Sequence, residues 1–308
     1  MTENRSVLVS GATGDTGRAA VRESLALGLT VRALVHTADA RAQALADQGA
    51  EVVVGDFLDP NTLRPAMEGV DAAYLCYPVR PGLIHATVNF AQTAKETGLK
   101  ALINCSQRSA DRESTSPSCR DTHIAEQVLN WSGLPVIHLR PTLFLEWLQY
   151  FWVLPKLREG ILWMPTGKGT SSPVAAEDQG RAIARLLLDP TDHLGTTIPL
   201  SGPAEIDHEQ FAAELSEALG REIVHVNPPM DEYAAYLADV GVPPYGVDHI
   251  VGAMRDYQNG AMSGADDNIE RLTGRRPMTV AEYARPRAAL LTGSSRGTAP
   301  GSDQAAGR

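Results

Sequence analysis

Glycines at positions 11, 14 and 17 stand at strict three-residue spacing directly behind the apolar run Val7, Leu8 and Val9, in the stretch SVLVSGATGDTGRAAV. No other feature of the chain restricts its fold as much. A β-branched-rich run of this kind suits a strand buried on both faces, and Arg18, Ala19, Ala20, Val21 and Leu25 then suit a helix packed on a sheet. Between the two, the first glycine permits a tight turn, the second admits the close approach of a pyrophosphate, and the third lets the helix lie against the strand. Thr13, Asp15 and Thr16 add hydroxyl or capping groups at a helix N-terminus, where free N–H groups and the macrodipole favour an anion. The plain alternative is a glycine-rich surface turn without a ligand. The triplet's place at the first strand and helix of the chain favours a dinucleotide site.

The strand and helix alternation continues. The spacing predicts a strand over 30–36, a helix over 38–48 and a strand over 51–55, then a fourth strand in DAAYLCYP and a helix ending at Gly98. KALINCS gives a fifth strand, DTHIAEQVLNWSG a helix ending at Gly133, and LPVIHLRP a sixth strand. Repeated β-α-β units with short connections predict an α/β fold with a doubly wound parallel sheet, whose ligands bind beyond the carboxyl ends of the strands. Beyond Pro141 the pattern loosens into an aromatic-rich segment, expected as a helix, a turn at Gly160 and a strand through Trp163. Its aromatic bulk has two readings, a core or dimer interface on one side and the wall of an apolar substrate pocket on the other. Capping boxes are expected at Asp207 with Gln210 and at Thr279 with Glu282, and residues 229–291 read as several helices with little sheet. The expected division is a dinucleotide-binding lobe over 1–155, with sheet elements returning from about 161–201, a smaller and mostly helical lobe over 156–292, and a disordered tail over 293–308.

Composition narrows the function classes. A formal net charge of −10 opposes a nucleic-acid backbone, so direct nucleic-acid binding is not expected. No 18-residue apolar run occurs and the first strand begins by Ser6, which predicts a cytoplasmic protein without a membrane span or signal peptide. Cys76, Cys105 and Cys119 lack metal-ligand spacing, and buried free thiols are expected, with no metal site.

The motifs VLVSGATGDTG, GDFLDP, LINCSQ, AEQVLNWSGLPVIHLRPTLF, LLLDP and LSGPAEIDHEQFAAELSEALGR, in this order, resemble the NmrA-like family of atypical short-chain dehydrogenases/reductases over most of the chain. The resemblance implies an NAD(P)-binding Rossmann lobe followed by a small helical substrate lobe. It also implies a pyrophosphate loop at Gly11, Ala12, Thr13, Gly14, Asp15, Thr16 and Gly17, adenine contacts at Asp56 and Phe57, and a wrap around the nicotinamide ribose at Tyr77 and Pro78. Asp56 has a second reading as a cap for the helix near Pro60, and Tyr77 and Pro78 a second reading as a plain turn. His36 ends the second strand, where no carboxylate repels a 2′-phosphate and Arg32 or Arg41 stands near in sequence. This favours NADP over NAD, against the alternative of an exposed His36 touching nothing.

The departure from the family concerns the proton donor. Many short-chain reductases use Tyr-x-x-x-Lys, but none of the eight tyrosines here has lysine four residues later. Ser106, at the end of the fifth strand, and His123, three residues before Glu126 on the next helix, are the candidate catalytic residues. Each has a plain alternative, Ser106 as a loop cap and His123 as a surface partner of Glu126. Thr122 is a rival to His123 if the helix register shifts by one. The expectation is hydride transfer from the reduced nicotinamide to a small aromatic or conjugated molecule such as a quinone, which delocalises incoming charge and needs less proton donation. The alternatives are a non-catalytic NAD(P)-dependent redox sensor and a redox-neutral epimerase-like enzyme. A homodimer is compatible with either.

Overall fold

A computed structural model describes residues 5–293. The tail expected from 293 onwards therefore lies, but for Gly293, outside the described residues. The first half alternates strictly: β1 (Ser6–Val9), α1 (Asp15–Ala26), β2 (Thr30–Val35), α2 (Ala40–Ala46), β3 (Glu51–Val54), α3 (Pro60–Met67), β4 (Ala72–Leu75), α4 (Leu83–Glu96), β5 (Ala101–Cys105), α5 (Pro117–Ser132) and β6 (Val136–Pro141). α5 begins a turn earlier than its sequence pattern suggests, because Ser116 caps the Cys119 N–H at 3.3 Å and Pro117 supplies the preset first turn.

The second half starts with a 3₁₀ turn (Leu145–Gln149), then α6 (Leu154–Arg158), β7 (Ile161–Trp163), β8 (Thr170–Ser171), α7 (Ala176–Leu188), β9 (Thr197–Leu200), β10 (Ile206–Asp207), α8 (His208–Leu219) and β11 (Val224–Val226). Five helices close the described chain: α9 (Met230–Asp239), α10 (Pro244–Gln258), α11 (Asn268–Thr273), α12 (Val280–Ala284) and α13 (Ala288–Thr292). Both expected capping boxes form, at Asp207 with Gln210 and at Thr279 with Glu282. The aromatic segment is not one helix. It breaks into the 3₁₀ turn and a five-residue helix, since Tyr150 is already extended at the end of the turn.

The main sheet is parallel throughout, in the order β3-β2-β1-β4-β5-β6-β9. The fold is thus the doubly wound Rossmann type, with its switch point between β1 and β4 and its crevice at the carboxyl ends of those strands. One face carries a core built with α1, α2 and α7, the other a core built with α3, α4 and α5. A third core, around Leu145, Leu157, Phe211, Tyr233 and Met254, belongs to the smaller lobe and takes in most of the aromatic segment. The chain returns to the main sheet through α7 and β9; β7 instead pairs with β11 in a separate two-stranded sheet, so the return begins later than 161. α11 also crosses back, its Ile269 buried in the core of the main sheet.

Asp256 on α10 ties the lobes together by accepting from the Thr115 N–H at 3.0 Å and the Ser114 hydroxyl, while the Ser116 hydroxyl pairs with His249 Nδ1 at 2.8 Å. These contacts hold the smaller lobe over the start of α5, beside the crevice. Among the described residues no helix is long and apolar enough to cross a membrane.

Candidate functional site

The β1–α1 turn leaves its polar groups unspent. α1 starts at Asp15 with Gly14 as the preceding residue, and no side chain caps this end. Its first N–H groups therefore face the crevice without an internal partner. Gly11 has φ +59°, a left-handed conformation that favours glycine, and its carbonyl accepts from the Gly14 N–H at 2.9 Å. A Cβ on Gly17 would lie 2.1 Å from the Gly11 oxygen, so this glycine is required by the turn itself. A Cβ on Gly14 would meet only the Gly11 oxygen, at 3.3 Å. The surface at Gly14 is thus left bare by the turn's own packing. A dinucleotide pyrophosphate fits a cradle of this shape with uncapped amides along it. Ala12, Thr16 and Gly17 are buried, Thr13 is half-buried, and Asp15 is exposed with Arg18 paired to it at 2.5 Å.

The structure brings Phe57 and Tyr77 together, ring centroids 5.5 Å apart and edge to face, with Phe90 behind Phe57. Tyr77 donates its hydroxyl to the Pro81 carbonyl at 3.1 Å and lies under the Arg80 guanidinium, and Pro78 begins the turn into α4. Asp56 accepts from the Leu58 N–H at 2.9 Å; the cap of α3 is Asp59, which bonds the Asn61 N–H at 3.0 Å. Asp56 is thereby relieved of the capping role. An open groove of about 500 Å³ continues from this edge, lined by Gly82, Ile84, His85, Val88 and Asp121.

His36 is exposed at the end of β2. Arg32 does not join it: its guanidinium bonds Glu51 and the carbonyls of Ala66 and Glu68, because its place early in β2 points it to the C-terminal end of α3, at the other edge of the sheet. Arg41 is held by Asp39 at 2.6 Å, and Asp39 also caps α2.

Ser106 is where the sequence puts it, but it is 2% exposed and its hydroxyl donates to Glu126 at 2.5 Å. Arg140 on β6 binds the same carboxylate with two nitrogens, at 2.9 and 2.5 Å. Burial pushes the Glu126 carboxyl up, and the Arg140 and Ser106 bonds more than offset it, holding it below its ordinary value. Glu126 is therefore not a partner of His123, which is half-buried and makes no hydrogen bond among the described residues. Its neighbour Thr122 is the residue that turns to the strand end, its hydroxyl accepting from Gln107 Nε2 at 2.8 Å. Gln107 was not legible as a site residue: it lies two positions past β5, and only the folded contact with Thr122 reveals it.

Two further side chains from the aromatic segment reach the crevice. Glu146 is buried and accepts from the Ala176 N–H at the start of α7 at 3.0 Å. Burial pushes its carboxyl up to about 7, with the Asp15 charge adding to the effect. Tyr150, edge to face with Trp152 at 4.8 Å between ring centroids, is pushed up to about 12 by burial, with the Asp15 and Glu146 carboxylates adding to the effect. Cys76 and Cys105 are partly exposed at adjacent strand ends, not fully buried as their apolar context suggests; Cys119 is buried. Their shared position was readable only once β4 and β5 were known to be neighbours.

The family model described as the NmrA-like family matches residues 3–284. An NAD(P)H azoreductase of Xenophilus azovorans is 28% identical over 92% of this chain and 99% of its own length. Quinone oxidoreductase 2 of Escherichia coli is 30% identical over 90% of this chain and 96% of its own. The crystal structure of an NADPH-dependent quinone oxidoreductase of Escherichia coli complexed with NADPH superposes with a TM-score of 0.79 at 28% identity, covering 90% of this chain and 98% of that one. With a family match across nearly its whole length, this chain belongs to the NmrA-like family.

Proposed function

We propose that this protein is an NAD(P)H-dependent oxidoreductase whose acceptor is a conjugated, apolar molecule such as a quinone. The observation that carries the reading is the cradle at residues 11–17, in which an uncapped helix end and a bare Gly14 face the crevice while Gly11 and Gly17 are fixed by the turn. The names of the two sequence relatives, an azoreductase and a quinone oxidoreductase, support a conjugated acceptor.

When bound, the reduced nicotinamide supplies the hydride. The chain's own residues then have distinct tasks. Gly11, Ala12, Thr13, Gly14, Asp15, Thr16 and Gly17 hold the pyrophosphate on backbone amides and hydroxyls. Asp56 and Phe57 meet the adenine, and Tyr77 and Pro78 bound the nicotinamide ribose. Tyr150, which faces Asp15 across the crevice, excludes water from the acceptor. Ser106, its hydroxyl committed to Glu126, is a positioning residue at the end of β5, and His123, which Glu126 does not hold, is the α5 residue assigned to an acceptor oxygen. No Tyr-x-x-x-Lys pair occurs in the sequence, and an acceptor that spreads its own charge has least need of that acid.

The cofactor is NADPH ahead of NADH, since no carboxylate occupies position 36 and Arg41 follows five residues on, at the start of α2. Paired dissociation constants at one salt concentration are expected to favour NADPH by up to about tenfold, or roughly 1.4 kcal/mol. Equal affinities, or a preference for NADH, overturn that choice.

The activity itself is tested by following loss of the reduced nicotinamide with a panel of quinones and azo compounds. Turnover with a quinone is expected. If the cofactor binds tightly and no acceptor is turned over, while binding changes protease sensitivity, the protein is a sensor and not an enzyme.

A further inference from the structure

Strands β4 and β5 run parallel with Leu75 opposite Asn104, so the next residues, Cys76 and Cys105, stand opposite one another at the carboxyl edge. Both side chains lie on the α1 face, packed against the same core as Tyr74 and Ile103. Neighbouring strands are about 4.8 Å apart, within the Cα separation that a disulfide spans. Each thiol is the neighbour that most affects the other's ionisation. Below them the Tyr74 hydroxyl is fully buried with no nitrogen or oxygen partner, against the two sulfurs.

This pair touches the dinucleotide turn. A Cβ on Gly11 would lie 3.1 Å from the Cys76 carbonyl oxygen and 3.7 Å from its Sγ. The Ser10 hydroxyl fastens the same place, donating to the Tyr74 carbonyl at 2.8 Å and accepting from the Cys76 N–H at 2.9 Å. A displacement of Cys76 is therefore passed directly to the turn that carries Gly11.

We propose that Cys76 and Cys105 are an oxidisable thiol pair that closes to an intramolecular disulfide and thereby weakens cofactor binding at the adjoining turn. The second half of this inference rests on the dinucleotide reading of residues 11–17. With hydrogen peroxide as oxidant, the Cys105 sulfur attacks one peroxide oxygen; the S–O bond forms, the O–O bond breaks, and water leaves. The Cys76 sulfur then attacks the Cys105 sulfur, the S–S bond forms, the S–O bond breaks, and the departing hydroxyl takes the Cys76 proton as a second water. Two thiols are oxidised and one peroxide is reduced to two waters. Cys105 is the attacking group because the adjacent Cys76 thiol holds its own below the ordinary value against the opposing effect of burial, whereas the Cys105 contact and burial push Cys76 well up.

The test treats the full chain with hydrogen peroxide, with and without NADPH, and maps non-reduced peptides by mass spectrometry alongside NADPH titrations. The expected result is a Cys76–Cys105 linked peptide that has lost two hydrogens and is restored by dithiothreitol, slower to form when NADPH is present. The oxidised protein is expected to bind NADPH about tenfold more weakly, an ordinary size for coupling between sites. C76S and C105S should lose both effects and C119S should keep both; C76A and C105A serve if a serine variant does not fold. Absence of the linked peptide, or linkage through Cys119, overturns the inference and leaves the dinucleotide reading standing. A reduced wild type that binds no NADPH overturns the dinucleotide reading and the affinity half with it, and equal affinity of the oxidised and reduced forms overturns the affinity half alone.

Discussion

The β1–α1 turn and the end of β5 both lie on the carboxyl edge of one sheet, and both carry residues that the family resemblance marks as functional, yet they are built in opposite ways. At the turn, helix amides go uncapped and the surface at Gly14 is bare. At β5, Ser106 donates to Glu126, Arg140 binds the same carboxylate twice, and Gln107 is satisfied by Thr122. The first region leaves its hydrogen-bonding capacity unspent, and the second spends it internally. A polar residue at a motif position binds a ligand only with groups its own neighbours have not already used.

The sharpest way to break this contrast is within the glycine triplet. Gly17→Val should abolish folding, because its Cβ falls 2.1 Å from the Gly11 oxygen and 2.7 Å from the Gly11 carbon, both backbone atoms. Gly14→Val should fold, since φ there is −79° and only one atom crowds the new Cβ. It should nevertheless lose NADPH binding by about 100-fold or more, roughly 2.8 kcal/mol. Circular dichroism melts and calorimetric titration separate the two outcomes; a Gly14→Val protein that binds like wild type would mean the turn is not a pyrophosphate site.

At β5 the expected loss is of stability. Glu126→Ala leaves the Arg140 guanidinium and the Ser106 hydroxyl without their shared partner and should cost roughly 3 to 5 kcal/mol in denaturant unfolding. Ser106→Ala, which removes one donor, should cost about 1 kcal/mol. Because the Glu126 carboxyl is held below 4.5, its contribution is present above that pH and drains away as pH falls further. Should Ser106→Ala instead leave stability unchanged and reduce turnover alone, the region is a reaction site after all and the comparison fails.

Glu146 lies between the two cases, buried but facing the Asp15 charge of the turn. Its folded value of about 7 lies above the ordinary 4.5, so the neutral form is favoured by folding. That advantage is full below 4.5 and disappears as pH rises through 7. Glu146→Gln should therefore match wild type near pH 4.5 and exceed it above pH 7, by roughly 2 to 3 kcal/mol. Melting curves across that range decide it, and parallel curves at every pH would show that folding leaves the Glu146 carboxyl at its ordinary value.

Much of the fold was legible because its signals are local. The run at Val7–Val9, the alternation of strand and helix, the stop at Gly98 and both capping boxes follow from neighbours within a few residues, and each is where the sequence puts it. The aromatic segment was less legible. Trp147, Trp152 and Trp163 have the bulk of a pocket wall, but the core of the smaller lobe takes them up, a choice set by residues as distant as Tyr233 and Tyr257.

By itself, the sequence determined the parallel α/β sheet, the glycine turn and its place at the switch point, because spacing and backbone freedom act along the chain. The tertiary structure alone decided which polar groups are spent. Arg32 is claimed by carbonyls at the end of α3, Glu126 by Arg140 fourteen residues on and by Ser106 twenty residues back, and Cys76 meets Cys105 only because β4 and β5 are neighbours in register. Hydrogen bonds and thiol contacts reach a few ångströms in space at any separation along the chain, so no local pattern records them.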